Sequence, residues 1–171
     1  MEPLFENSFD LNEETMKEFL RSNRKTSLLV FIILDVAVML FFFLYYLIAY
    51  SEIALFYPVA ALALIAFSFA MYAVSEKRTL RALREQTDGK PYIVTRRFFG
   101  EEFRSSDSIS GGEVAVEYEK IAKVVETKNL LILRTNAKLN YILRKDAFTM
   151  GTPEEFKSFI EGRIALKKIK R

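Results

Sequence analysis

The chain has 171 residues, 25 Lys and Arg against 22 Asp and Glu, and neither Cys nor His. A net charge of +3 is too small to call for nucleic acid. The missing Cys and His remove disulfides, thiolate nucleophiles, Cys-held clusters and the commonest general base and metal ligand, which argues against an enzyme and against a cofactor.

Residues 1–25 read as an N-terminal strand and helix. Met1 to Leu20 is acidic, with Glu2, Glu6, Asp10, Glu13, Glu14 and Glu18 against Lys17. Leu4, Phe5, Phe9 and Leu11 predict a short strand that is part of the folded domain rather than a free arm. Asn12 then has the chemistry of a helix N-cap, and the acids after it sit where the helix dipole favours negative charge. The helix is expected to continue through Met16, Phe19 and Leu20. The apolar run that follows starts too late and is too long for a signal peptide.

Residues 26–74 read as a transmembrane helical hairpin. Leu28 to Tyr50 carries a single charge, Asp35, and Ile53 to Val74 carries none. A hydrocarbon core of about 30 Å needs roughly 20 apolar helical residues, so both runs (28–50 and 53–74) are long enough, and Ser51 and Glu52 leave room only for a tight turn. Arg21, Arg24 and Lys25 stand before the first run, and Lys77, Arg78, Arg81 and Arg84 after the second, while the turn has no Lys or Arg. The positive-inside bias predicts a multi-pass protein of the plasma membrane with both termini in the cytoplasm. Tyr45, Tyr46, Tyr50 and Tyr57 fall at the outer interface, and Pro58 in the first turns of the second helix costs least there. The stripe Ala63, Ala66, Ala70 and Ala73 predicts close packing of the two helices.

Asp35 needs a reason, because an acid in hydrocarbon is expensive and marks a functional candidate. It lies about 10 Å inside the first run. Reflecting the chain about the turn places Ser68 at the same depth, so Asp35 and Ser68 form a candidate intramembrane polar pair. Side chains tilt toward the helix N-terminus, which lets Asp35 lean toward water instead.

Residues 75–90 predict a juxtamembrane extension of the second helix and a boundary. Lys77, Arg81 and Arg84 are candidate contacts for anionic lipid, at about 1 kcal/mol per charge near the surface. The basic tail adds Lys167, Lys168, Lys170 and Arg171 to that set. Asp88-Gly89-Lys90-Pro91 ends the helix, with Gly at the C-cap and Pro just beyond.

Residues 91–171 read as strands followed by a helix. Tyr92–Phe99 and Glu102–Ile109 are short strands, Gly111-Gly112 is a hairpin turn, and Val114, Val116 and Tyr118 alternate as a half-buried strand does. Ile121, Val124 and Val125 suit either a helical turn or a strand. Leu130–Arg134 is a strand, Asn136-Ala137 a turn, and Leu139–Leu143 its hairpin partner. Thr152 caps a last helix with Pro153 at its first position and Glu154 and Glu155 behind it. Phe156, Phe159, Ile160 and Ile164 are expected to face a small antiparallel sheet.

Chemistry is scarce. No glycine-rich loop joins a strand to a helix, and the polar run Ser105, Ser106, Asp107 and Ser108 lacks a base nearby in sequence. Lys145 is a candidate for an anionic headgroup or a solvated strand end. Arg96 and Arg97 beside Phe98 and Phe99 have the interleaving of nucleic-acid platforms, which strand alternation explains as well.

The stretches VEYEKIAKVVETKNLLILRT, YILRKDAF and GTPEEFKSFIEGR, after a strand, helix and apolar hairpin, resemble the YcxB-like family of small bacterial membrane proteins. The resemblance spans the layout of nearly the whole chain and the wording of about Phe98 to Arg163. It implies a pleckstrin-homology-like cytoplasmic domain and no catalytic residues. The expected whole is α+β: a two-helix transmembrane hairpin with a small antiparallel, PH-like domain closed by a C-terminal helix. The expected function is a membrane-anchored, non-enzymatic binding or scaffolding module whose partners are the lipid bilayer and another protein. The alternatives are a transporter or channel subunit built as a homo-oligomer around Asp35, and, more remotely, a membrane hydrolase using Ser105 to Ser108.

Overall fold

The structure, a computed structural model, describes residues 2–49 and 56–169, with the side chains at 24–31, 49, 57, 58, 60, 61 and 166–169 outside that description. The chain divides into two compact units, Met1–Phe19 with Arg84–Arg171, and Leu20–Leu83.

The first unit begins with β1 (Phe5–Asp10). Helix α1 (Glu13–Ala49) follows at once, and its 37 residues run without a break from the first unit into the second. Asn12 caps it, accepting a hydrogen bond from the Thr15 amide at 3.0 Å. Helix α2 (Phe56–Thr87) leads back. It ends where Asp88 and Gly89 both turn into the left-handed region, at φ 46° and 74°. Then come β2 (Ile93–Phe98), β3 (Glu102–Asp107), β4 (Glu113–Glu117), β5 (Ile121–Glu126), β6 (Leu130–Thr135), β7 (Asn140–Arg144), β8 (Phe148–Met150) and α3 (Pro153–Ile169). The expected capping of α3 takes the reciprocal form. The Glu155 amide donates to Thr152 Oγ1 at 3.3 Å, and the Thr152 amide donates to Glu155 Oε2 at 3.1 Å.

Two antiparallel sheets form, not one: β4-β3-β2-β1-β8 and β5-β6-β7. The N-terminal strand is built into the larger sheet, pairing with β2 from Phe5↔Phe98 to Asp10↔Ile93 and with β8 on its other side. Strand β6 feeds two separate cores. Leu131 and Leu133 join Phe98, Phe103, Leu143, Phe156 and Ile160, while Leu130 and Ile132 join Phe9, Val94 and Ile142. The run LLIL is therefore apolar without alternation because both faces of β6 are covered. Phe98, Phe103 and Phe156 are all fully buried and make the first core aromatic. Each such side chain stabilises the fold by about 1.5–3 kcal/mol.

Polar groups bridge the two sheets. The bonds from Thr135 N to Leu139 O and from Lys145 N to Asn129 O fix the alternation of the β6–β7 ladder, so Ile142 and Arg144 turn their backbone groups away from β6. The larger sheet satisfies that free edge. Asn7 Nδ2 donates to Arg144 O at 2.8 Å and Asn7 Oδ1 accepts from Arg144 N at 3.3 Å. Arg96 donates to Ile142 O and lies 5.8 Å from the ring centres of both Phe9 and Tyr141. Burial lowers its pKa to about 10, which leaves it charged at neutral pH.

The second unit exposes its apolar side chains. Ile33, Leu34, Leu40, Phe41, Leu44 and Ile48 of α1 and Leu62, Leu64 and Phe67 of α2 are each more than half exposed. Among the described residues, however, no helix is long and apolar enough to cross a membrane. The expected spans over 28–50 and 53–74 are therefore not carried by the described residues. On α1 the described side chains of the first run cover only 32–48, with Asp35 among them, and on α2 the apolar part runs into Glu76, Lys77 and Arg78. Tyr50, Ser51, Glu52 and the side chains of Arg24, Lys25, Tyr57 and Pro58 lie outside the described residues.

Candidate functional site

The most developed polar constellation lies between α3 and the ends of β5 and β7. A cleft of about 350 Å³ is lined by Glu126, Lys145, Lys157, Glu154, Ser158 and Glu161 among others. Glu126 is the last residue of β5, Lys145 follows β7, and Lys157 stands one turn into α3. Lys145 Nζ donates to Glu126 Oε1 at 2.6 Å and Lys157 Nζ to Glu126 Oε2 at 2.6 Å, so one carboxylate joins two strands to the helix. Lys145 Nζ also donates to Thr127 O at 2.9 Å. The hydrogen bonds from Lys145, then from Lys157, hold the Glu126 pKa down at about 2, and Glu126 in turn raises that of Lys157. Lys145 is thus neither a solvated strand end nor a free headgroup contact; it is committed to Glu126 and Thr127.

The turn after Glu126 is held from α1. Glu18 accepts hydrogen bonds from Thr127 Oγ1 at 2.5 Å, the Asn129 amide at 2.9 Å and Asn129 Nδ2 at 2.8 Å. These bonds outweigh a substantial desolvation cost and leave its pKa lowered. Nothing local in the sequence announces this contact, because its partners lie 109 and 111 residues apart.

The residues singled out from the sequence are dispersed. Asp35 is half-buried on α1, and Ser68 is half-buried on α2 beside Phe67, Met71, Tyr72 and Ser75 in a groove of about 320 Å³. Among the described residues no hydrogen bond joins Asp35 to Ser68. Lys77 and Arg81 are exposed on α2. Arg84 is ion-paired with Glu13, which lowers the pKa of that acid and ties the start of α1 to the end of α2 within the first unit. The side chains of Lys167 and Lys168, and the whole of Lys170 and Arg171, lie outside the described residues.

The serine run does structural work. Asp107 accepts from the Ile109 and Ser110 amides at 3.0 and 2.6 Å and from Ser110 Oγ at 2.6 Å, closing the β3–β4 turn. Ser108 Oγ accepts from Ile93 N at 3.1 Å. Arg97 pairs outward with Glu6 at 3.3 Å while Arg96 turns inward, so the two arginines occupy opposite faces of β2. Among the described residues no acid cluster is placed to hold a metal ion.

Residues 99–160 match the family model described as YcxB-like protein. No curated protein matches the chain, and no solved structure does. The matched stretch contains the Glu126–Lys145–Lys157 cleft but neither β1 nor β2, which contribute Phe5, Phe9, Val94 and Phe98 to the cores. From Phe99 to Ile160 the chain carries a YcxB-like domain.

Proposed function

We propose that the protein is a membrane-anchored, non-enzymatic module in which the apolar hairpin of α1 and α2 holds the YcxB-like domain at the cytoplasmic face. The observation that carries this reading is the outward-facing apolar surface of the second unit. Leu40, Phe41, Leu44, Ile48, Leu62, Leu64 and Phe67 are each more than half exposed, on stretches of α1 and α2 (32–48 and 59–74) whose one charged residue is Asp35. A soluble monomer rarely exposes contiguous apolar patches beyond a few hundred Å². The sequence extends the described apolar stretch of α1 at both ends, from Leu28 to Tyr50, and that length spans a bilayer.

The charge distribution supplies the orientation, with basic residues flanking both apolar runs on the side of the YcxB-like domain and none in the turn. Two packed antiparallel sheets closed by a C-terminal helix are consistent with the PH-like architecture that the sequence resemblance implies. The chemistry favours binding over catalysis. The carboxylates of Glu126, Glu18 and Asp107 are each taken up within the first unit, by ion pairs, by the β5–β6 turn and by closure of the β3–β4 turn.

The test is extraction of native membranes. The full chain should remain in the pellet after high salt and after alkaline carbonate. Release by either treatment would mean that the hairpin does not enter the hydrocarbon.

A further inference from the structure

We infer that Glu18 couples α1 to the cleft beneath α3 through the β5–β6 turn, so that the YcxB-like domain reads the position of the helix that continues into the hairpin. The significance of the coupling rests on the membrane-anchored reading; the contacts themselves do not. Glu18 stands next to Phe19, the last α1 residue of the first unit, and the helix continues unbroken to Ala49. A helix is stiff along its axis, and hydrogen bonds of 2.5, 2.8 and 2.9 Å are lost when the donor recedes by roughly 1 Å. A small displacement of α1 would therefore release all three donors of the turn together.

The turn is wired onward. Leu130 N donates to Thr127 Oγ1 at 3.0 Å, Lys145 N donates to Asn129 O at 2.9 Å, and Lys145 Nζ donates to Thr127 O at 2.9 Å. Lys145 and Lys157 share Glu126, the residue that enters the turn. Thr127 and Asn129 thus touch α1 on one side and Lys145 on the other, and Glu126 carries the link to α3. Loss of the Glu18 bonds frees Thr127, loosens Lys145, and leaves Lys157 with a carboxylate that is no longer fixed. The YcxB-like family match covers Glu126, Lys145 and Lys157 but not Glu18, so the latch joins the domain to a segment outside the matched region.

The experiment is a double-mutant cycle in the full chain in detergent micelles, read by amide hydrogen exchange. Glu18→Gln should speed exchange at residues 127–131 and also in the first two turns of α3, by about two- to tenfold for the net loss of one hydrogen bond. Thr127→Val, which breaks the latch from the other side, should reproduce the α3 effect. In a Lys157→Gln background, Glu18→Gln should no longer change α3, because the link to Glu126 is already cut. Exchange confined to the turn with α3 unchanged, or effects that simply add, would overturn the coupling. The readout does not depend on where α1 resides, so carbonate extraction and this cycle can fail independently.

Discussion

Gly151, between β8 and α3, has a φ of 77°, and a Cβ built on it would sit 2.3 Å from Phe5 Cδ1. The Phe5 ring cannot simply swing aside, since its centre lies 5.5 Å from Phe156 and 5.4 Å from Phe159. Gly151→Ala therefore combines two costs. The left-handed backbone costs an L-residue about 1–2 kcal/mol, and overpacking the core costs about 1–3 kcal/mol more. Gly89 is the internal control: its φ is 74°, yet nothing lies within 4 Å of a built Cβ, so Gly89→Ala should cost the backbone part alone. The assay is hydrogen exchange at the β6 amides, which open only when the first unit unfolds, in the full chain in micelles. Gly151→Ala should accelerate that exchange about five- to hundredfold beyond Gly89→Ala, and adding Phe5→Leu should recover part of the difference. Equal effects at the two glycines would refute the packing assigned to Phe5.

Three further outcomes follow from the geometry. Asn7→Ala strands the Arg144 N–H and C=O at the free edge of β7 and should destabilise the first unit by about 2–4 kcal/mol, measured by the same exchange. Tyr118→Phe removes the 2.6 Å hydrogen bond from its hydroxyl to Phe99 O and should cost about 1 kcal/mol, with the Tyr118 ionisation pushed up by burial in the native chain. Glu126 has a folded pKa of about 2 against an ordinary 4.5, so its contribution is fully present above pH 4.5 and disappears as pH falls toward 2. Carboxyl-carbon NMR should place its midpoint near 2, and Lys145→Gln should move it upward; an ordinary midpoint would remove Glu126 as the joint between β5, β7 and α3.

Much of the first unit was legible because its strands alternate and its helix starts carry capping chemistry. Asn12, Thr152 and Pro153 mark the helix starts, and Phe156 and Ile160 of α3 face inward as their spacing requires. Strand β5 was ambiguous for a physical reason: the register shift between Ile121 and Lys123 breaks the alternation of its apolar residues. Strand β8 has three residues and no period to detect. The division into two sheets was hidden in β6, whose unbroken run Leu130 to Leu133 signals cover on both faces but not by what. Arg96 and Asn7 were readable after the fact. Each sits at an even offset from buried aromatics, Phe98 and Phe9, so strand geometry turns both inward. Glu18, Thr127 and Asn129 were not readable, because a contact across more than a hundred residues leaves no local pattern.

Topology tests the central claim most directly. The native chain has no Cys, so single cysteines report cleanly. With the hairpin across the plasma membrane, Ser51→Cys in the turn should react with an impermeant thiol reagent in intact cells, and Ser106→Cys on β3 should react only after the cells are opened. Labelling at residue 106 in intact cells with residue 51 protected, or equal labelling at both, would contradict a cytoplasmic YcxB-like domain held by a membrane hairpin.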